Sequence, residues 1–152
     1  MPDLQLLAQK FELIELVHAY WNNVDAKWGA EAHTMFTEDG VFQSDSSLHT
    51  GREEVKGFYD WRRGRGERVA RHLVSNPLVT IEGPDRATVR YTMTIYAVDG
   101  VPILSVKAPN SISEVTDLYQ RNAAGEWKIQ HKTLRGLFRG EEPATIMPAR
   151  AS

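Results

Sequence analysis

Two residues 47 positions apart, Asp25 and His72, are of the types that together carry out acid–base chemistry. Imidazole titrates near neutrality, so it can take a proton and give one back under ordinary conditions. A carboxylate held against one ring nitrogen fixes the tautomer, leaves the other nitrogen free as a base and stabilises the imidazolium that forms. Brought together, the pair would suit removal of a proton next to a carbonyl on a small organic molecule. Tyr20 could donate its phenol to that carbonyl oxygen as negative charge builds there. Side chains five apart on a helix point ~140° apart, so Tyr20 and Asp25 would serve one pocket from its two flanks.

These residues need a helix and a strand to hold them. Over residues 4–28, Leu7, Phe11, Ile14, His18, Trp21, Asp25 and Trp28 recur at three- and four-residue steps, which predicts a helix. Leu6, Leu13, Val17, Tyr20 and Val24 form an adjacent stripe. A carboxylate on so apolar a face needs a partner. A second short helix is expected over 29–36, ending at the turn cluster Thr37-Glu38-Asp39-Gly40, and Val41-Phe42-Gln43 reads as a short strand. Thr50-Gly51-Arg52-Glu53-Glu54 starts another helix, continued by Val55, Phe58, Tyr59 and Arg62 and broken at Arg63-Gly64-Arg65-Gly66. Strands follow over 72–81, 87–98, 112–121 and 127–134, separated by turn residues and by a proline-bearing loop at 100–110. Helices first and antiparallel strands afterwards predict an α+β fold. Its curved sheet would wrap over the helices and leave a conical cavity, a natural place for a small ligand.

The 152 residues suit one domain, expected over 1–138 with a tail over 139–152. A net charge of −2 gives no global argument for nucleic acid, and there is neither a Gly-rich phosphate loop after a strand nor aromatic interleaving among the basic residues. Without cysteine there are no disulfides, no thiolate catalysis and no cysteine-bound zinc. No histidine pair has a recognised metal spacing with a third ligand, so no metal is expected. No apolar run approaches the ~20 residues of a membrane span. The first residues lack the basic and apolar regions of a signal peptide, so a cytoplasmic protein is expected.

Other residues enter as pocket candidates beside plainer roles. Trp21 lies on the Asp25 face of the helix. His131 shares strand parity with Trp127 and Ile129 and is a candidate to face inward, with a structural histidine as the plainer role. On strand 112–121, Glu114, Thr116 and Leu118 share one face and Val115, Asp117 and Tyr119 the other; parity alone does not choose between them, and Asp117 reads most simply as a surface charge. Tyr96 is a candidate pocket wall or core residue. His33 and His49 fall in segments expected to be exposed. Arg62, Arg63, Arg65, Arg68 and Arg71 crowd the approach to His72. They read as a solvated charged loop or, more sharply, as an anion site for a carboxylate or a coenzyme A phosphate.

The helix Tyr20-x4-Asp25, the run Phe36-Thr37-Glu38-Asp39-Gly40-Val41-Phe42, the helix start Gly51-Arg52-Glu53-Glu54, the Arg71-His72 strand and the hairpin Gly125-Glu126-Trp127-Lys128-Ile129 occur in one order and spacing. In this the chain resembles the SnoaL-like branch of the nuclear-transport-factor-2-like superfamily, over most of residues 5–138. The resemblance implies the cystatin-like α+β barrel of that superfamily. It is nearest to the scytalone dehydratase, bile acid 7α-dehydratase and hexachlorocyclohexane dehydrochlorinase group, whose helix aspartate and strand histidine match Asp25 and His72. Tyr20 matches the helix tyrosine of the bile acid enzyme, and Arg135 falls near its C-terminal arginine. The strand Tyr91 to Val98 lacks the second histidine of scytalone dehydratase. The resemblance therefore implies a lyase that needs no cofactor, dehydrating a cyclic or polycyclic hydroxy-carbonyl compound. Asp25, His72 and Tyr20 would be catalytic, and Trp21, Tyr96, Thr116, His131 and Arg135 would bind substrate. The alternatives are a ketosteroid-isomerase-like proton shuttle and a non-catalytic binding or oxygenase-associated subunit. The superfamily also implies a homodimer or homotrimer.

Overall fold

The computed structural model describes residues 1–141. Helix α1 spans Leu4–Lys27. It starts where the Asp3 carboxylate accepts from the amides of Gln5 and Leu6 at 3.0 and 3.1 Å, an N-cap that satisfies two otherwise unpaired donors. It ends at Trp28, which takes a left-handed conformation. Leu13, Val17 and Tyr20 of the second stripe are buried together with Trp21 of the first, whereas Leu7, Phe11 and His18 of the first remain exposed.

The expected second helix shrinks to a 3₁₀ turn, Ala32–Met35, because the chain turns directly into strand β1, Phe36–Gln43. The Thr37–Gly40 cluster is part of this strand, with an irregular register between Phe36 and Val41. A short strand β2, Leu48–Thr50, then leads into helix α2, Arg52–Arg63. Four long strands complete the chain: β3 Arg68–Ile81, β4 Arg86–Asp99, β5 Ser111–Arg121 and β6 Trp127–Arg139. The expected tail falls mostly on residues outside those described, and β6 itself runs on to Arg139.

The sheet is six-stranded, in the order β2-β1-β6-β5-β4-β3. All neighbours are antiparallel except β1 and β6, which are parallel. It is a mixed, open sheet with β2 and β3 at its edges, not a closed barrel. Edge position explains how β3 accommodates Pro77, which has no amide to donate, beside a register shift between Ser75 and Leu78. The core lies between α1 and the inner face, built from Val89, Tyr91, Met93, Val115, Tyr119, Trp127 and Ile129. Among the described residues no helix is long and apolar enough to cross a membrane.

One glycine fastens the two helices. Gly29 follows the end of α1 with φ +75°, and a Cβ there would stand 2.2 Å from the Tyr59 ring. Gly29→Ala is expected to cost about 1–3 kcal/mol from positive φ and overpacking together. Chemical denaturation would read it as a lower midpoint at unchanged slope.

Candidate functional site

α1 and β3 bring Asp25 and His72 together. The Asp25 Oδ1 lies 2.6 Å from His72 Nδ1, and its Oδ2 accepts from the His72 backbone amide at 2.9 Å. One carboxylate thus holds both the ring and the main chain of the same residue. Both side chains are only 10% exposed. The Trp21 indole stacks on the imidazole, centroids 4.5 Å apart and planes inclined by 14°. With Nδ1 engaged, Nε2 is the nitrogen left for a substrate, and among the described residues it has no hydrogen-bond partner.

His72 lines a cavity of about 640 Å³. Trp21, Val24 and Trp28 of α1, Phe58, Tyr59 and Arg62 of α2, and Arg68, Ala70 and His72 of β3 form one side of it. Ser111, Ser113, Leu134 and Gly136 form another side, with the 44–47 loop at its margin. The cavity is mostly apolar with a few polar groups, the usual make-up of a small-molecule site.

Tyr20 is fully buried. Its hydroxyl lies 2.5 Å from that of Tyr59, which does line the cavity. Burial raises both phenols well above their ordinary range, so both hydroxyls stay protonated across the range in which imidazole works. Tyr59 is therefore the phenol on the wall, with Tyr20 behind it. In the sequence Tyr59 reads only as a continuation of α2, and nothing local distinguishes it from a core tyrosine.

Trp21 is on the cavity wall. Tyr96, Thr116, His131 and Arg135 are not among the lining residues. Inward positions on β4 and β5 are Tyr91, Met93, Val115 and Asp117, and alternation puts Tyr96 and Thr116 on the opposite face. There Tyr96 stands opposite Arg71, and Thr116 opposite Thr133. His131 is displaced by a bulge. Leu118 pairs with His131 while Tyr119 pairs with Ile129, so Gln130 is an extra residue and the alternation of β6 reverses. His131 then turns outward to the Gln43 amide oxygen at 3.1 Å, and Lys132 turns inward. Arg135 follows the same outward parity and pairs with Glu114 at 3.0 Å.

The bulge creates a feature that sequence reasoning missed. Lys132 and Asp117 are both fully buried and their charged groups are 2.8 Å apart. The ammonium donates to both Asp117 oxygens and to the Tyr91 hydroxyl, and it lies 4.2 Å from the Tyr20 ring centroid and 4.9 Å from that of Trp21. Burial pushes the Asp117 carboxyl up and the Lys132 ammonium down, and each partner opposes the other's shift. Tyr91 donates to Asp117 at 3.1 Å and accepts from the Trp21 indole N–H at 2.8 Å. This chain of bonds fixes the indole on which His72 stacks. His49, expected in an exposed segment, is buried against Phe42 and Phe58.

The model of the SnoaL-like domain matches residues 5–133. The chain belongs to the SnoaL-like family. Solved structures share the fold of this SnoaL-like protein at low identity. A scytalone dehydratase candidate from Novosphingobium aromaticivorans is 18% identical, with 93% of this chain and 97% of that one covered at a TM-score of 0.74. ActVI-ORFA from Streptomyces coelicolor is 20% identical, covering 82% and 95% at a TM-score of 0.68. A cystatin-like protein of unknown function from Nostoc punctiforme is 20% identical, covering 84% and 90% at 0.68. No curated protein matches the sequence.

Proposed function

We propose that this SnoaL-like protein is a lyase that dehydrates a small cyclic hydroxy-carbonyl compound, with His72 as its base. The observation that carries the proposal is the two-point grip of Asp25 on His72, which leaves Nε2 at the wall of an open cavity. In the reaction, Nε2 removes the proton next to the substrate carbonyl, and its electron pair becomes the enolate. The imidazolium, stabilised by the Asp25 carboxylate, gives that proton to the β-hydroxyl. The C–O bond then breaks as the enolate collapses to the conjugated carbonyl, and water leaves. Proton and hydroxyl leave from the same face of the ring, since one nitrogen serves both. Tyr59, held by Tyr20, donates a hydrogen bond to the enolate oxygen. The redox balance closes without a cofactor.

A screen of cyclic β-hydroxy ketones followed by mass spectrometry tests the reaction: the product must have lost one water. A product of unchanged mass with a moved double bond would assign the site to isomerisation, and no turnover across the panel would argue against an acid–base enzyme of this substrate class. Asp25→Asn tests the pair itself. An amide cannot offset the imidazolium charge, so kcat should fall by ~10²-fold or more with KM little changed, as steady-state kinetics would read.

A further inference from the structure

Of the arginine run that approaches His72, Arg65 and Arg71 are exposed, but Arg62 on α2 and Arg68 at the start of β3 are drawn into the cavity wall. Arg68, Ala70 and His72 alternate onto the same side of β3 and all three line the cavity. Arg68 and His72 are thus about 13 Å apart along the strand at Cα, and the small Ala70 leaves the space between them open. Arg62 also lines the cavity, but its guanidinium is bound to Asp99 at 3.0 Å. Asp99 is the residue opposite Arg68 in the ladder, and its carboxylate is engaged by Arg62 instead. Among the described residues Arg68 has neither an ion-pair nor a hydrogen-bond partner. Burial, with the neighbouring Arg62 charge, lowers its pKa to about 10, against the pull of Asp99 and Asp25. The group is still a cation at neutral pH, so this end of the cavity holds a partly desolvated positive charge facing the ligand space.

We infer that Arg68 is an oxyanion subsite and that the natural ligand is a carboxylic acid, its carboxylate on Arg68 and its reacting carbons at His72. This rests on the acid–base reading only for what happens at His72; the anion preference stands by itself. A planar guanidinium matches a carboxylate with two parallel hydrogen bonds, and the bond is stronger where water is sparse. The subsite therefore selects substrates by charge at one end and by reactivity at the other.

Isothermal titration calorimetry with 2-naphthoate and its neutral isostere 2-naphthamide tests this on the intact protein. The wild type is expected to bind naphthoate at least ~10-fold more tightly than naphthamide. Arg68→Gln, checked for an unchanged melting curve, should erase that preference while leaving naphthamide affinity in place, and Arg68→Lys should keep part of it. His72→Gln should retain the full preference, so loss of turnover and loss of the anion site are read separately. Equal affinity for the two probes, no binding of either, or a preference that survives Arg68→Gln would overturn the inference. Coenzyme A alone is the remaining arm. If it binds more tightly than naphthoate and loses that binding in Arg68→Gln, the oxyanion is a phosphate and the carboxylic acid assignment falls.

Discussion

Replacing His72 by glutamine is expected to lower kcat by about 10²–10⁴-fold with little change in KM, the range that one general acid–base group supplies. Glutamine keeps a polar side chain of similar reach, so it can still pack against Trp21 and fill the wall of the cavity. It cannot take a proton from carbon. An effect on kcat and kcat/KM alike means that the lost interaction belongs to the transition state and not to substrate binding. The backbone amide of residue 72 still donates to Asp25, so the α1–β3 junction keeps one of its two bonds. The thermal midpoint should therefore move little. A second readout needs no product: in deuterated buffer the wild type should exchange the substrate proton next to the carbonyl, and the variant should not. Undiminished turnover or undiminished exchange would remove His72 from the chemistry.

The largest loss of stability should come from Lys132. Lys132→Met is expected to destabilise the fold by about 3–5 kcal/mol, because it leaves the Asp117 carboxylate buried without its counter-charge. Methionine fills most of the space but offers no donor to the two Asp117 oxygens or to Tyr91. The double variant Lys132→Met/Asp117→Leu should recover most of the loss, since removing both charges also removes the need to desolvate them. Urea unfolding of the wild type, both single variants and the double variant gives the coupling directly. Its sign matters for the site as well. Tyr91 steadies the Trp21 indole while also bonding Asp117 and Lys132, so a disturbed pair should loosen the surface on which His72 stacks. A single variant that loses less than about 1 kcal/mol would mean that the pair is dispensable to the fold.

Much of this arrangement was legible in the residues themselves. The apolar steps along 4–28 and the turn clusters between strands mark local elements, because periodicity and turn chemistry act within a few residues. The α+β plan follows from their order. Asp25 and His72 stood out as a candidate pair because a carboxylate on an apolar helix face requires a partner, and the resemblance supplied the order and spacing that joined it to His72. The strand parity of 112–121 was legible as two alternatives, and burial of Val115, Asp117 and Tyr119 selects one.

What the chain determined by itself was the type of its long elements and the identity of the residues able to do chemistry. Which side chains meet was decided only in the tertiary structure. The parallel pairing of β1 with β6 joins the first strand to the last, and no local signal reports a contact of that range. The Gln130 bulge is a matter of one residue. It turns His131 to the outer face, carries Arg135 with it and buries Lys132, so a period-two argument run through the strand gives the opposite face beyond that point. The same holds for the phenol at the site: Tyr20 and Tyr59 are both inward-facing aromatics on helices, and only the docking of α2 beside Gly29 puts Tyr59 at the wall and Tyr20 behind it. Local sequence specifies conformation through short-range sterics and hydrogen bonds; register, bulges and helix docking are set by packing the whole core at once.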